Sequence, residues 1–403
     1  MEETLFILGR EPEFSVAELE ARAPLWSGEV MALSEAGAVV RHEQPLPERI
    51  LNRLGGSIKQ VQVVEHWPVP ESVSKTLHEQ LTKEWIERHF PETGRVEFGV
   101  SFYNGTSNDR ALIQKIALRL KKEIVAADRP VRFVTSQDQQ LSAVTVQRNG
   151  LIKKGKEFVF FKNDSEIIVG ATHAVQDYQL YGLRDFGRPA ANAKSGMIPP
   201  KLAQMMLNIA QVKPDDLLLD PFCGSGTIVQ EAALMGVKKI VASDLESRPV
   251  KETQENIKWL FSEFPELSTD VEITMRDARQ VTTKADVIVT EPYLGKPLRG
   301  HEPHDWLASQ AKEIGTLYFQ SFTQWKKHLK PGARVVMIWP EFLAGEESVT
   351  IDIEQAILNL GFEKLPMLSE ASAVKLHITT PNVLTYARDD ARVRRQVRMW
   401  RVA

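Results

Sequence analysis

A single cysteine, Cys223, stands in a chain of 403 residues, which excludes an internal disulfide framework and any cysteine-cluster metal site. It predicts a reducing compartment. An excess of charge of one sign is also missing: 50 Lys and Arg meet 53 Asp and Glu, a formal net charge of -3. Any binding of nucleic acid must therefore use local patches, because the global field does not attract phosphate. No apolar run approaches the roughly 18 residues that cross a bilayer. The opening MEETLFILGREPEF begins with acids where a secretory leader would carry cations. The expectation is a cytoplasmic protein with no membrane partner. What the chain does contain is 43% apolar and 26% charged residues, enough for ordinary cores in two or three domains of about 100–200 residues each.

The first 65 residues read as βαββαβ: Leu5 to Leu8, Ser15 to Ala23, Glu29 to Ser34, Ala38 to Arg41, Pro47 to Leu54 and Ile58 to Val64. Ser15 followed by Glu18 predicts a capping box at the first helix, and Pro24 ends that helix. This order is a ferredoxin-like signature, which decides no function by itself. A second α+β unit follows. Its long helix from Asp109 places Leu112, Ile116, Leu120 and Ile124 on one face, and Ser142 to Gln147 reads as one of its strands. The stretch 174–200, rich in Gly, Pro, Arg and polar residues, reads as a linker. From Pro200 onward strands and helices alternate, which predicts a parallel sheet covered on both faces. Val383 to Arg388 and Gln396 to Val402 read as a closing hairpin around Asp389 and Asp390.

The most informative run is Leu217-Leu218-Leu219-Asp220-Pro221-Phe222-Cys223-Gly224-Ser225-Gly226-Thr227, a buried strand, a glycine turn and a helix start. In doubly wound sheets ligands bind at such carboxyl ends. Gly224 and Gly226 let a ligand approach the backbone, and Asp220 offers a carboxylate to a cationic amine. No lysine follows the second glycine as a phosphate loop requires. Asp244 ends the next strand 24 residues after Asp220, near the spacing at which an acid holds ribose hydroxyls. Asp277, past the third strand, could accept from an adenine amine. NAD competes for such a nucleoside-shaped pocket, but the fourth strand runs into Glu291-Pro292-Tyr293-Leu294-Gly295, which argues against it.

That last motif resembles the Asp or Asn, Pro, Pro, aromatic motif of S-adenosylmethionine-dependent amino-methyltransferases. Together with the run from Asp220 to Thr227 it points to enzymes that methylate exocyclic amines of bases. Glu291 stands for the family's Asp or Asn, and Tyr293 stands where the second proline is expected. The front of the chain, Leu5-Phe6-Ile7-Leu8-Gly9-Arg10, and the runs Val169-Gly170, Val175-Gln176-Asp177, Arg184-Asp185, Gly187-Arg188-Pro189 and Pro199-Pro200-Lys201-Leu202-Ala203 with Asn208 resemble the archaeal and eukaryotic tRNA guanine-N2 methyltransferases that modify position 10.

The resemblance implies an α/β fold: a Rossmann-like class I methyltransferase domain at 197–403, preceded by a ferredoxin-like domain at 1–66, a THUMP RNA-binding domain at 67–172 and a linker at 173–196. It implies S-adenosylmethionine as cofactor, held by Asp220, Phe222, Cys223, Gly224, Gly226, Thr227, Asp244, Leu245, Asp277 and Ala278, with Ser195, Gly196 and Met197 covering it. Glu291 would accept from the target amine, Pro292 would fix the turn and Tyr293 would stack the base. Lys153, Lys154, Lys156 and Arg299 are the candidate RNA contacts, and the arginines from Arg388 to Arg401 read first as a solvated face and second as an RNA patch. The implied partner is tRNA. Some eukaryotic relatives also need a small activating subunit, and no metal is required. Two other readings stay open: a DNA amino-methyltransferase acting on adenine N6 or cytosine N4, and a non-catalytic RNA-binding protein that retains the pocket.

Overall fold

The structure, a computed structural model, describes residues 1–138, 140–190, 197–345, 347–388 and 391–403. They form two compact units, residues 1–52 with 56–178 and residues 53–55 with 179–403. Among the described residues no helix is long and apolar enough to cross a membrane.

The first unit opens with β1 (Glu2–Leu8), α1 (Pro12–Arg22), β2 (Glu29–Ser34), β3 (Gly37–His42) and β4 (Ser57–Pro68). It continues through α2 (Val73–Gln80), α3 (Lys83–Glu87), β5 (Val96–Tyr103) and α4 (Ser107–Ala126). It ends with β6 (Val131–Val134), α5 (Ala143–Arg148), β7 (Lys156–Lys162) and β8 (Glu166–Val175). The two α+β patterns legible in the sequence share one eight-stranded sheet, ordered β2-β3-β1-β4-β8-β7-β5-β6. The joint is β4, twelve residues long and paired antiparallel to β8 from Lys59 to Pro68.

Three local expectations change here. Ser15 and Glu18 do not form a capping box, because α1 starts earlier, at Pro12; both side chains instead reach Gly56, Ser15 Oγ donating to its carbonyl at 3.0 Å and Glu18 accepting from its N–H at 2.9 Å. The helix expected over Pro47 to Leu54 is only a 3-10 turn, Ile50–Arg53. Ser142 to Gln147 is not a strand. Ser142 caps α5 by accepting from Thr145 N at 3.1 Å, a terminus signal that outweighs the β-branched residues behind it. The long helix α4 has its reciprocal cap at Thr106 and Asp109 and buries Ile113, Ile116, Leu120 and Ile124.

The second unit begins with α6 (Tyr178–Phe186), so the stretch read as linker carries a helix, and α7 (Pro200–Ile209). Then come β9 (Leu217–Asp220), α8 (Thr227–Leu234), β10 (Lys239–Asp244), α9 (Ser247–Glu263), β11 (Asp270–Met275), β12 (Val287–Thr290), α10 (His304–Lys326) and β13 (Arg334–Ala344). The tail adds β14 (Glu347–Thr350), α11 (Glu354–Asn359), β15 (Phe362–Leu365), α12 (Glu370–Lys375), β16 (Val383–Tyr386) and β17 (Val393–Val402).

The sheet runs β11-β10-β9-β12-β13-β17-β15, parallel from β11 to β13, with β17 antiparallel. The chain winds outward from β9 through β10 and β11, then returns to the other side of β9 as β12. That reversal opens a crevice between the carboxyl ends of β9 and β12. The last strand is not merely half of a hairpin: β17 pairs with β13 on one side and with β16 and β15 on the other. Trp325, Trp339, Trp400, Tyr318 and Phe322 are fully buried beneath this part of the sheet and seat α10 against it.

Candidate active site

The carboxyl end of β9 presents Asp220, which is 1% exposed. Its Oδ1 accepts from Thr290 Oγ1 at 2.7 Å and from Phe222 N at 3.3 Å. Both donors are neutral, and among the described residues no cation offsets the buried charge. Burial first, with the nearby carboxylates of Asp244 and Glu291 adding to it, raises the Asp220 carboxyl from 3.8 to about 7.

The glycine turn follows. Gly224 (φ +53°) and Gly226 (φ +82°) both lie in the left-handed region. A Cβ on Gly224 would meet open space, whereas one on Gly226 would lie 2.8 Å from Thr253 Cγ2. So Gly224 leaves the cleft side clear, and Gly226 permits close packing of α8 on α9. The turn is fixed from α9, where Thr253 Oγ1 donates to Gly224 O at 2.7 Å and Asn256 Nδ2 donates to Ser225 O at 2.9 Å. From β10, Asp244 accepts Gly224 N at 3.1 Å through Oδ2 and Glu246 N at 3.1 Å through Oδ1; burial raises its carboxyl.

Asp220, Gly224 and Ser225 line a cleft of about 190 Å³ with Met197, Ile198, Phe222, Cys223, Thr227, Glu252 and Glu291. Cys223 is buried, its N–H donating to Ser243 O at 2.9 Å, and burial pushes its thiol well up, which leaves it unreactive. Thr227 Oγ1 accepts from the buried Arg188 at 2.8 Å, and Arg188 also lies 3.2 Å from Met197 Sδ. Arg188 thus ties Met197 to the start of α8. Behind it, Arg184 pairs with Glu231 of α8 at 2.8 Å.

Glu291 stands one residue beyond β12 and lines the same cleft. Burial raises its carboxyl, and Arg395 opposes that rise by donating from Nε to Oε1 at 2.5 Å. Arg395 lies in the arginine-rich end read as a solvated face, and the structure corrects that reading: its side chain is 16% exposed. Arg398 is buried over the Trp339 ring at 4.3 Å. Pro292 is buried, while Tyr293 is 48% exposed and its carbonyl accepts from Tyr318 Oη at 2.9 Å.

Other expected residues are not among those that line the cleft. The Asp277 carboxylate is engaged by Arg279 of its own turn at 2.6 Å, which holds it below the usual range, and Ala278 is buried with its carbonyl accepting from Trp325 Nε1 at 3.0 Å. Leu245, next to Asp244, is exposed. Ser195 and Gly196 lie outside the described residues. Arg299 is exposed in the loop before α10; in the first unit Lys153 and Lys154 are exposed on a turn and Lys156 is half-buried at the start of β7. Among the residues that sequence reasoning missed are Thr253, Asn256 and Arg395. The first two looked like ordinary polar positions on a helix, and Arg395 meets Glu291 across 104 residues of chain.

Residues 182–350 match the family described as UPF0020, an RMKL-like methyltransferase domain. The second unit therefore carries a methyltransferase domain. A tRNA (guanine(10)-N2)-dimethyltransferase of Methanothermobacter thermautotrophicus is 36% identical over 151 residues, 37% of this chain and 40% of that protein. A tRNA (guanine(10)-N2)-dimethyltransferase of Methanocaldococcus jannaschii is 36% identical over 108 residues, 25% of this chain and 29% of that protein. These matches cover less than half of either relative's length. The crystal structure of TrmN from Thermus thermophilus superposes with a TM-score of 0.55 at 16% identity, covering 100% of both chains, so the two share a fold.

Proposed function

We propose that the chain transfers a methyl group from S-adenosylmethionine to the exocyclic N2 amine of a guanine in tRNA, position 10 being the expected target. The observation that carries this reading is the charge balance of the cleft. Asp220, Asp244 and Glu291 gather around the glycine turn, and Arg395 is the cation that meets one of them. A ligand with its own positive charge would relieve the carboxylate left uncompensated at Asp220, whereas a dinucleotide pyrophosphate would meet that carboxylate at close range. The residues present thus fit the cofactor: Asp220 for a cationic group, the clear face of Gly224 for close approach, and Asp244 at the end of β10 toward its nucleoside. S-adenosylmethionine would supply a methyl group carried on a sulfonium.

The chain's own residues supply aim and a place for a proton. The amine of guanine is a weak nucleophile because its lone pair is delocalised into the ring, so positioning dominates the acceleration. Glu291 holds one N–H of that amine and takes the proton the nitrogen loses as the new N–C bond forms. The exposed ring of Tyr293 offers a stacking face to an extruded base. The first unit is read as a ferredoxin-like region followed by a THUMP region that grips tRNA, with Lys153, Lys154 and Lys156 near phosphates, and Arg299 of the second unit is read as a further phosphate contact.

The test is methyl transfer from radiolabelled S-adenosylmethionine to bulk tRNA, with duplex DNA in parallel and nucleoside analysis of the product. N2-methylguanosine is expected. Label recovered as N-methylated adenine or cytosine in DNA would overturn the RNA assignment, and binding without product on either polymer would favour a non-catalytic protein or one that needs a subunit.

A further inference from the structure

We propose that Arg395 is the positioning residue of the acceptor: a guanidinium fixed in the sheet that grips Glu291 through Oε1 and leaves Oε2 to face the amine. The proposal rests on the reading of Glu291 as acceptor and adds to it the means by which a glutamate serves there.

The geometry separates Arg395 from its neighbours. Its backbone is held on both sides, opposite Pro340 of β13 and Tyr386 of β16, so the guanidinium can reach only a small volume. Arg394 points to Glu341 at 3.8 Å, Arg398 stacks on Trp339, and Arg401 pairs with Glu363 at 2.5 Å. Arg395 instead reaches the cleft carboxylate with a hydrogen bond of 2.5 Å. A glutamate has one more rotatable bond than an aspartate. An untethered carboxylate at position 291 would sample several rotamers and would miss the sub-ångström placement an acceptor needs. A charge-assisted hydrogen bond from a strand-anchored donor removes that freedom.

The pair also fixes the charge state. Among the described residues, the groups that face Glu291 are Asp220 from β9, Tyr318 from α10 and Arg395 from β17. Asp220 and burial favour the protonated acid; Tyr318 is neutral and donates to the Tyr293 carbonyl. Arg395 is the cation of the set and favours the carboxylate, the form that can accept an N–H. Its role is positioning, because it touches Glu291 and not the reacting atoms.

The test uses the full chain with glutamate carboxyls labelled for carbon-13 NMR, with the Glu291 signal identified by its loss in Glu291→Gln. Arg395→Met is expected to raise the Glu291 titration further, to lower the transfer rate to tRNA about 100-fold and to leave cofactor affinity within about threefold. Arg395→Lys is expected to restore most of the titration but only part of the rate, because an ammonium carries the charge without the directed N–H. In the double variant the Arg395→Met loss should vanish on top of Glu291→Gln, as for two residues acting as a unit. A Glu291 titration unchanged in Arg395→Met, or additive losses in the double variant, would overturn the proposal. Transfer that survives Glu291→Gln would instead overturn the acceptor reading, and with it this role. Arg395→Met that fails to fold while Arg395→Lys shows the wild-type rate would reduce Arg395 to a structural cation and overturn the proposal as well.

Discussion

Each unit sets a glutamate against a cation, fully buried in the first and half-buried at the edge of a cleft in the second, and the two pairs are built to opposite ends. In the first unit Glu157 Oε1 accepts from Lys59 Nζ at 2.5 Å and Ser101 Oγ at 2.6 Å, Oε2 accepts from Thr172 Oγ1 at 2.6 Å, and Lys59 also donates to Leu141 O at 2.5 Å. Neither side chain of that ion pair is exposed. Four strands and a loop converge on a carboxylate with both oxygens satisfied. In the second unit Glu291 has Arg395 on Oε1 and a cleft in front of it, with the raised Asp220 carboxyl alongside. A buried carboxylate with a full set of partners fastens elements together; one with partners on one side only is poised for something that arrives.

The sharpest way to break this comparison is to remove a partner from the closed pair. Lys59→Met should destabilise the first unit by about 3–5 kcal/mol, because it strands a buried carboxylate, and replacing both members with apolar residues should cost far less. Urea unfolding checks both, and S-adenosylmethionine binding by the folded Lys59→Met protein should be unchanged.

Asp220→Asn should act in the reverse sense. The carboxyl is raised in the folded state, so folding holds its proton more tightly than the unfolded chain does. The resulting penalty is absent below about pH 4, grows to about pH 7 and is complete above it, on the order of a few kcal/mol. The variant should therefore be more stable than wild type at pH 8 and no more stable at pH 4, as thermal unfolding at the two values would report, while it loses cofactor affinity. A variant less stable at pH 8 would mean that Asp220 is structural in the manner of Glu157.

Gly226→Ala should cost about 1–3 kcal/mol, from a left-handed φ and a contact with Thr253 that backbone movement must relieve. Gly224→Ala meets no such contact, so it should be milder in stability and harsher in cofactor affinity. Thermal melts with calorimetric titration separate the two effects. Smallest of all, Thr290→Val should remove one hydrogen bond from Asp220, raise its titration further and weaken cofactor binding by less than about tenfold at pH 7.

The contrast between the two pairs also explains what the sequence could and could not announce. Asp220, Gly224, Gly226, Asp244 and Glu291 lie at strand ends or in a tight turn, where local pattern fixes both the backbone and its direction, and three short segments sufficed to mark them. Arg395 carries no local signal: an arginine among arginines takes its meaning from the strand that lies beside it. The same holds for Lys59 and Glu157, polar letters in strands that read as half-exposed until β4 and β7 are brought together by a sheet spanning the whole unit. Local signals misled where they competed. Ser15 and Glu18 have capping-box spacing but serve Gly56, and the valines after Ser142 suggested a strand where the cap won. The helix α6 was hidden by the glycines and arginines of its own segment, since Arg184 earns its place only against Glu231.

The account rests on a buried, uncompensated carboxylate that receives a cationic methyl donor, and calorimetric titration of S-adenosylmethionine into the full chain and into Asp220→Asn from pH 5.5 to 8 tests it most directly. It predicts affinity for the native chain that strengthens as pH rises through about 7, the point to which Asp220 is raised, and weak binding with a flattened pH dependence in the variant. Equal affinity and the same pH dependence in both proteins would contradict it.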